Sequence, residues 1–200
     1  MNFRALSVIC VVASALAGCY AAVPDPKISD QDAKYLAKVP NFEVEMNFRR
    51  YQMDDPTGEA PGTIVVDSKA HYLYFVLPGK KAIRYGVATG SEAAGWSGAA
   101  VIQRKAEWPR WMPPAEMIER WPHLKPTFDA GGLPGGPDNP LGARAMYLYQ
   151  NNKDTLYRIH GTNEPETIGH DVSSGCIRMA NIDAIDLFNR VQLGAKVIVK

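Results

Sequence analysis

Cysteine is scarce in this 200-residue chain, confined to Cys10, Cys19 and Cys176, and that scarcity excludes a disulfide-stapled scaffold. An excess of charge of one sign is lacking too. The 22 Lys and Arg nearly balance 21 Asp and Glu, and no basic run is interleaved with aromatics, so nucleic acid is set aside as a partner. The four histidines, His71, His123, His160 and His170, make no closely spaced pair with one another or with cysteine, which argues against a zinc site. No Gly-x-Ser-x-Gly elbow is present, so Ser173 and Ser174 are expected to cap a turn rather than act as nucleophiles. No internal repeat is visible. The apolar run from Ala5 to Ala17 is too short to span a bilayer as a mature helix.

What is present fits one globular domain with an appendage, because a chain of this length seldom supports two cores. Arg4 followed by the apolar run reads as an export signal over residues 1–18. That run ends in Leu16-Ala17-Gly18-Cys19, which resembles the lipobox of bacterial lipoproteins and makes Cys19 the expected lipidation site. The alternative is an ordinary secretory signal cleaved near Ala21 or Ala22. Tyr20, not Asp, follows the cysteine, so the resemblance implies an outer-membrane anchor facing the periplasm. With Cys10 removed and Cys19 acylated, Cys176 is a lone thiol in an oxidising compartment. Such a thiol is either reactive or an inert buried hydrophobe.

Pro24, Pro26, Pro40, Pro56 and Pro61 punctuate residues 19–61, which show no sustained apolar period and are expected to form a lipidated N-terminus and tether. Within it, Asp30 to Val39 is a candidate short helix. Strand signals dominate residues 62–199: Thr63 to Asp67, His71 to Leu77, Ala82 to Thr89, Ala100 to Glu107, Ala145 to Tyr149, Leu156 to His160 and Lys196 to Val199. Helix signals are confined to Pro113–Glu119 and to Asn181–Val191, where Asn181 is the expected N-cap. The fold class is therefore mainly β with marginal helices. Residues 131–140, rich in Gly and Pro, are expected to form an ordered surface over a cleft. Trp108 is assigned to the core, while Trp96, Trp111 and Trp121 fit either core or groove.

One constellation carries chemistry. Ile159-His160-Gly161-Thr162 ends a strand in a histidine, and Ser173-Ser174-Gly175-Cys176-Ile177-Arg178 follows with a cysteine after a glycine. A free thiol titrates near 8.5 and needs a basic neighbour to become thiolate at neutral pH, a task that imidazole commonly fills. Gly175 permits a tight turn that aims backbone N–H groups of Gly175 and Cys176 at a developing oxyanion. Arg178 falls on the same side as Cys176 in an extended strand, suited to fork onto a substrate carboxylate. His170 reads as an exposed loop residue, and Thr162 as support inside the fold.

These segments resemble the catalytic signature of the L,D-transpeptidase (YkuD-like) family, as do Pro61 to Asp67, Lys105 to Pro109, Trp111 to Pro114, Asn139 to Gly142 and Leu193 to Val199. The resemblance covers nearly all of residues 62–199. It implies a mixed β-sandwich-like catalytic domain and an exported enzyme of peptidoglycan stem peptides. Cys176 matches the nucleophile, His160 the base, and Gly175 the backbone oxyanion hole. Arg178, Ser174 and Gly161 are expected to bind substrate. The implied reaction acylates Cys176 with release of D-alanine, then transfers the acyl group to an amine of a second stem peptide or of an outer-membrane protein. Water as acceptor would make the protein a carboxypeptidase, and loss of turnover would leave a wall-anchoring lipoprotein. Neither metal nor organic cofactor is implied. Ser174 departs from the many relatives that place histidine before the Gly-Cys pair.

Overall fold

Alternating burial explains the architecture. The computed structural model describes residues 20–90, 96–172 and 175–200. The expected signal segment, Cys19, Ser173 and Ser174 lie outside the described residues. Ten strands form one sheet: β1 (Ala21–Ala22), β2 (Tyr51–Asp54), β3 (Ile64–Asp67), β4 (Tyr72–Leu77), β5 (Lys81–Ala88), β6 (Gly98–Glu107), β7 (Arg144–Gln150), β8 (Lys153–His160), β9 (Ile177–Met179) and β10 (Lys196–Val199). Their order is β1-β2-β5-β4-β3-β10-β6-β7-β8-β9, and β9 also pairs with β5, which curls the sheet into a closed ring with β2 and β1 as an extension. All the pairings are antiparallel except β10 with β3 and β8 with β9.

One face of this ring supplies the core. Ile64, Leu73, Ile83, Tyr85, Ile102, Met146, Leu148, Ile159, Met179 and Val197 are buried there, the filling expected of a closed sheet. Helix α4 (Asn181–Arg190) adds Ala184 and Leu187 to that core. Short helices α2 (Ala115–Arg120) and α3 (Lys125–Asp129) lie between β6 and β7. The mainly β expectation holds, with each long strand found within a residue or three of its predicted place. Asn181 is a correction. Ala180 is the N-cap, and the Asn181 amide is spent elsewhere, as described below.

The tether is a second correction. Residues 20–61 pack onto the domain instead of forming a free coil. The Tyr20 ring meets Tyr51 edge-on at 5.0 Å, and Ala21–Ala22 pairs with β2, itself joined to β5. Helix α1 (Asp30–Leu36) opens with a Ser29/Asp32 capping box. Its Asp32, 1% exposed, accepts two bonds of 2.9 Å from the Arg144 guanidinium and one of 2.8 Å from Trp108 Nε1. Arg50 donates to Asp183 at 2.7 Å. Phe48 lies so close to Gly86 that a Cβ there would meet its Cβ at 2.4 Å. The five prolines all fall between these elements, so they do not interrupt them.

Burial alone would raise the Asp32 pKa. The bonds from Arg144, Ser29 and Trp108 outweigh it and hold the carboxyl well below the usual range. A depressed native pKa means that Asp32 stabilises the fold at neutral pH and that this stabilisation is lost as pH falls below the ordinary carboxylate range. Asp32→Ala leaves the Arg144 guanidinium with the Ala143 carbonyl at 2.8 Å and, as its nearest carboxylate, the exposed Glu107 at 3.6 Å, and is expected to cost about 3 kcal/mol. Urea titration measures this. Deleting residues 20–61 is expected to cost at least as much, and a shortened chain as stable as the full one would overturn the structural role of the arm.

Candidate active site

Strands β7, β8 and β9 turn Met146, Ile159, Ile177 and Met179 into the core, so the alternate residues Ala145, Tyr147, Arg158, His160 and Arg178 fall on the opposite face. Cross-strand register lines them up in two rows. Arg104 pairs with Tyr147 and Tyr147 with Arg158, and continuing the β8–β9 register by one residue brings Cys176 beside Arg158. In the next row Ala106 pairs with Ala145, Ala145 with His160, and His160 with Arg178. His160 and Cys176 are thus diagonal neighbours on one face, within side-chain reach.

Arg104, Tyr147, Arg158, His160, Cys176 and Arg178 form the floor of a cleft of about 620 Å³, whose other wall is Trp111, Met112, Pro113, Ala115 and Met117 at the entry to α2. The 131–140 segment, expected over the cleft, packs against Trp108 and against Trp111, the first residue of that wall. A Cβ on Gly135 would strike the Trp108 carbonyl, and Leu133 bridges to Trp111.

His160 is 4% exposed, and its Nδ1 lies 2.5 Å from the Gly161 carbonyl oxygen. A carbonyl only accepts, so Nδ1 carries the proton and Nε2 keeps the lone pair. Burial pulls the His160 pKa down to about 4; the Gly161 carbonyl opposes this, and Arg178 and Arg158 add to it. Cys176 is half-buried, and burial pushes its thiol upward, partly offset by Arg158 and Arg178. At neutral pH the pair therefore rests as thiol and neutral imidazole. Sγ sits 4.0 Å from the Leu156 carbonyl, and no direct bond joins it to the imidazole among the described residues. Catalytic hydrogen bonds are often loose before substrate arrives.

Gly161 is buried and serves the histidine, a different place from the substrate contact expected of it. A Cβ on Gly161 would lie 2.2 Å from Asn181 Oδ1. That oxygen accepts from Ala143 and Thr162 N–H at 2.9 and 3.1 Å, while Asn181 Nδ2 donates to the Thr162 carbonyl at 2.7 Å. One buried amide thus ties the start of α4 to the loop after β8 and fixes the carbonyl that orients His160. Gly175 has φ of 79°, the left-handed turn expected before the thiol. Arg178 lines the cleft, paired with Glu164 at 2.7 Å. His170 is exposed, and neither it, His71 nor His123 lines the cleft. Among the described residues no group of His, Cys, Asp and Glu is arranged to hold a metal.

Several cleft residues escaped sequence reading: Arg104, Tyr147, Arg158 and Leu156. Leu156 is 67% exposed with φ of 65°, a conformation that costs an L-residue roughly 1–2 kcal/mol. It lies where the β7–β8 register shifts. Period two, used to relate Arg178 to Cys176, would equally have related Arg158 to His160.

Fold and site define a class: a mainly β domain with a thiol and a buried imidazole on one face of its sheet. The YkuD L,D-transpeptidase catalytic domain profile matches residues 61–199, and the chain belongs to that family. It is 34% identical over 137 residues to the probable L,D-transpeptidase ErfK/SrfK of Salmonella typhimurium, covering 67% of this chain and 42% of that one. With the putative L,D-transpeptidase YqjB of Bacillus subtilis it shares 33% identity over 151 residues, 72% of this chain and 76% of the relative. Among solved structures, a Brucella melitensis protein described as a probable carnitine operon oxidoreductase is 48% identical, covering 84% of this chain and 99% of its own at a TM-score of 0.53. An L,D-transpeptidase from Mycobacterium smegmatis shares the fold at a TM-score of 0.52 and 16% identity, over 76% and 67% of the two chains.

A neutral resting pair has a pH signature. His160 is neutral above about 4 and the thiol titrates above its ordinary value, so alkylation of Cys176 by iodoacetamide is expected to be slow at pH 6 and still rising beyond pH 9. A rate plateau between pH 5 and 7 would instead reveal a preformed thiolate–imidazolium pair.

Proposed function

We propose that this protein is a cysteine L,D-transpeptidase of peptidoglycan stem peptides. The observation that carries the reading is the register that sets Cys176 and His160 on adjacent rows of one cleft-lining face. His160 Nε2 takes the Sγ proton as the sulfur attacks the carbonyl between the diamino acid at position three and D-alanine at position four. Backbone N–H groups at Gly175 and Cys176 receive the developing oxyanion. The C–N bond breaks, the departing D-alanine amine takes the proton from the imidazolium, and a thioester remains on Cys176. An acceptor amine then attacks the thioester, gives a proton to His160, and the C–S bond breaks with return of the thiol. The acceptor is an amine of a second stem peptide, giving a 3→3 cross-link, or a lysine of an outer-membrane protein.

Export and lipid anchoring through Cys19 belong to the same proposal and rest on the signal-like run and on Leu16-Ala17-Gly18-Cys19. In cells fed an alkyne fatty acid, the protein is expected to take up label and Cys19→Ala to lose it; unlabelled wild type would leave a simple secretory signal as the reading.

Incubated with tetrapeptide-bearing wall fragments, the purified protein is expected to release D-alanine and form dimers detectable by mass spectrometry. Cys176→Ala is expected to abolish both while melting normally. Tripeptides without dimers would favour hydrolysis. Fragments bound but unchanged would favour an anchoring role, and fragments ignored altogether would leave the activity named for the Brucella melitensis relative to be tested.

A further inference from the structure

The floor of the cleft carries more positive charge than its partners neutralise. Arg158 is taken by Asp154 through bonds of 2.6 and 2.9 Å, and Arg178 by Glu164 at 2.7 Å. Arg110 donates to the Gly131 and Gly132 carbonyls. Arg104 differs. It is exposed, its guanidinium carbon stands 4.3 Å over the Tyr147 ring, and it has no hydrogen bond or carboxylate partner among the described residues. Tyr147 is 6% exposed and holds Arg158 against the same ring at 4.5 Å. A buried ring is a rigid shelf, so stacking orders Arg104 without consuming its donors.

From this we infer that Arg104, shelved on Tyr147, is a second anion-binding residue of the cleft, receiving a carboxylate on the acyl side of the donor peptide. The inference rests on the proposed transpeptidase reading. Its geometry follows from the row Arg104–Tyr147–Arg158–Cys176. A guanidinium above Tyr147 lies two strand spacings, roughly 10 Å, from the position of the thiol. An extended peptide advances about 3.3 Å per residue, so an acidic side chain one or two residues before the scissile carbonyl reaches it. A planar fork with free donors matches a carboxylate in shape and charge. Arg178 already shares its charge with Glu164 through one bond, so Arg104 adds an unneutralised guanidinium to the clamp expected at Arg178.

The test uses the full chain carrying Cys176→Ala, so that donor binds without reacting. Two probes are titrated calorimetrically, a stem tetrapeptide with its acyl-side carboxylates free and the same peptide with them amidated. Adding Arg104→Gln is expected to weaken the free acid about tenfold and to leave the amide unchanged, with Arg104→Lys between. Because Arg104 is exposed, both variants are expected to melt with the parent. Equal weakening of both probes, no weakening of either, or no binding of the free acid overturns the inference. Acylation of the otherwise native chain is followed in parallel by mass spectrometry. If no thioester forms yet the acid preference still depends on Arg104, the subsite stands and the transpeptidase reading falls. If the thioester forms and Arg104→Gln changes nothing, the reading stands and the subsite falls.

Discussion

Everything reactive in this molecule hangs on the pairing of β8 with β9, where Ile159 meets Ile177 and His160 meets Arg178. Strand β9 is only three residues long, yet it is bonded on both edges, to β8 and to β5, and so completes the ring. Its register is set from the other face. Ile177 and Met179 are buried in the core, and a slip of one residue would drive Cys176 and Arg178 inward while exposing two large apolar side chains. The thiol is placed by its hydrophobic neighbours, and the chemistry inherits the precision of the packing.

The charges around the site act on the pair in opposite ways. Arg158 and Arg178 favour a thiolate but disfavour an imidazolium, and burial disfavours both ions. A stored ion pair is therefore not the stable state of the free protein. The arrangement suits a base that acts only when a carbonyl is present to accept the electrons of the sulfur. It also keeps the resting sulfur protonated, and protonated thiols oxidise slowly. An anionic peptide entering the cleft would partly neutralise the arginines and so ease protonation of His160.

The long strands were legible because alternation and β-branched runs are local properties, His160 because it ends one of them, and Gly175 and Cys176 because they stand side by side in one short segment. What stayed hidden was long-range. The β2 and β9 strands are too short for a period to develop. Asp32 and Arg144, far apart in sequence, meet only because α1 folds back on Trp108. Asn181 looks like a helix cap from its neighbours, yet its amide is claimed by Ala143 and Thr162 across the fold. Gly161 was read as a substrate contact, whereas Asn181 leaves no room beside it for a side chain and His160 takes its carbonyl. In each case a buried polar group chose its partner by three-dimensional proximity, and a reading by residue spacing has no access to that.

The packed arm changes what an anchor at Cys19 would mean. A free coil of about forty residues would lift the domain roughly 35 Å from its attachment point. Here Tyr20 already rests on Tyr51, the next two residues join the sheet, and the arm is held further along by Asp32 and by Arg50. A lipid on Cys19 would therefore hold the domain close to the membrane surface with little slack. Reach would then depend on the wall polymer or an acceptor protein coming to the cleft, and an acceptor attached to the same membrane would meet the thioester at a higher effective concentration than one in free solution.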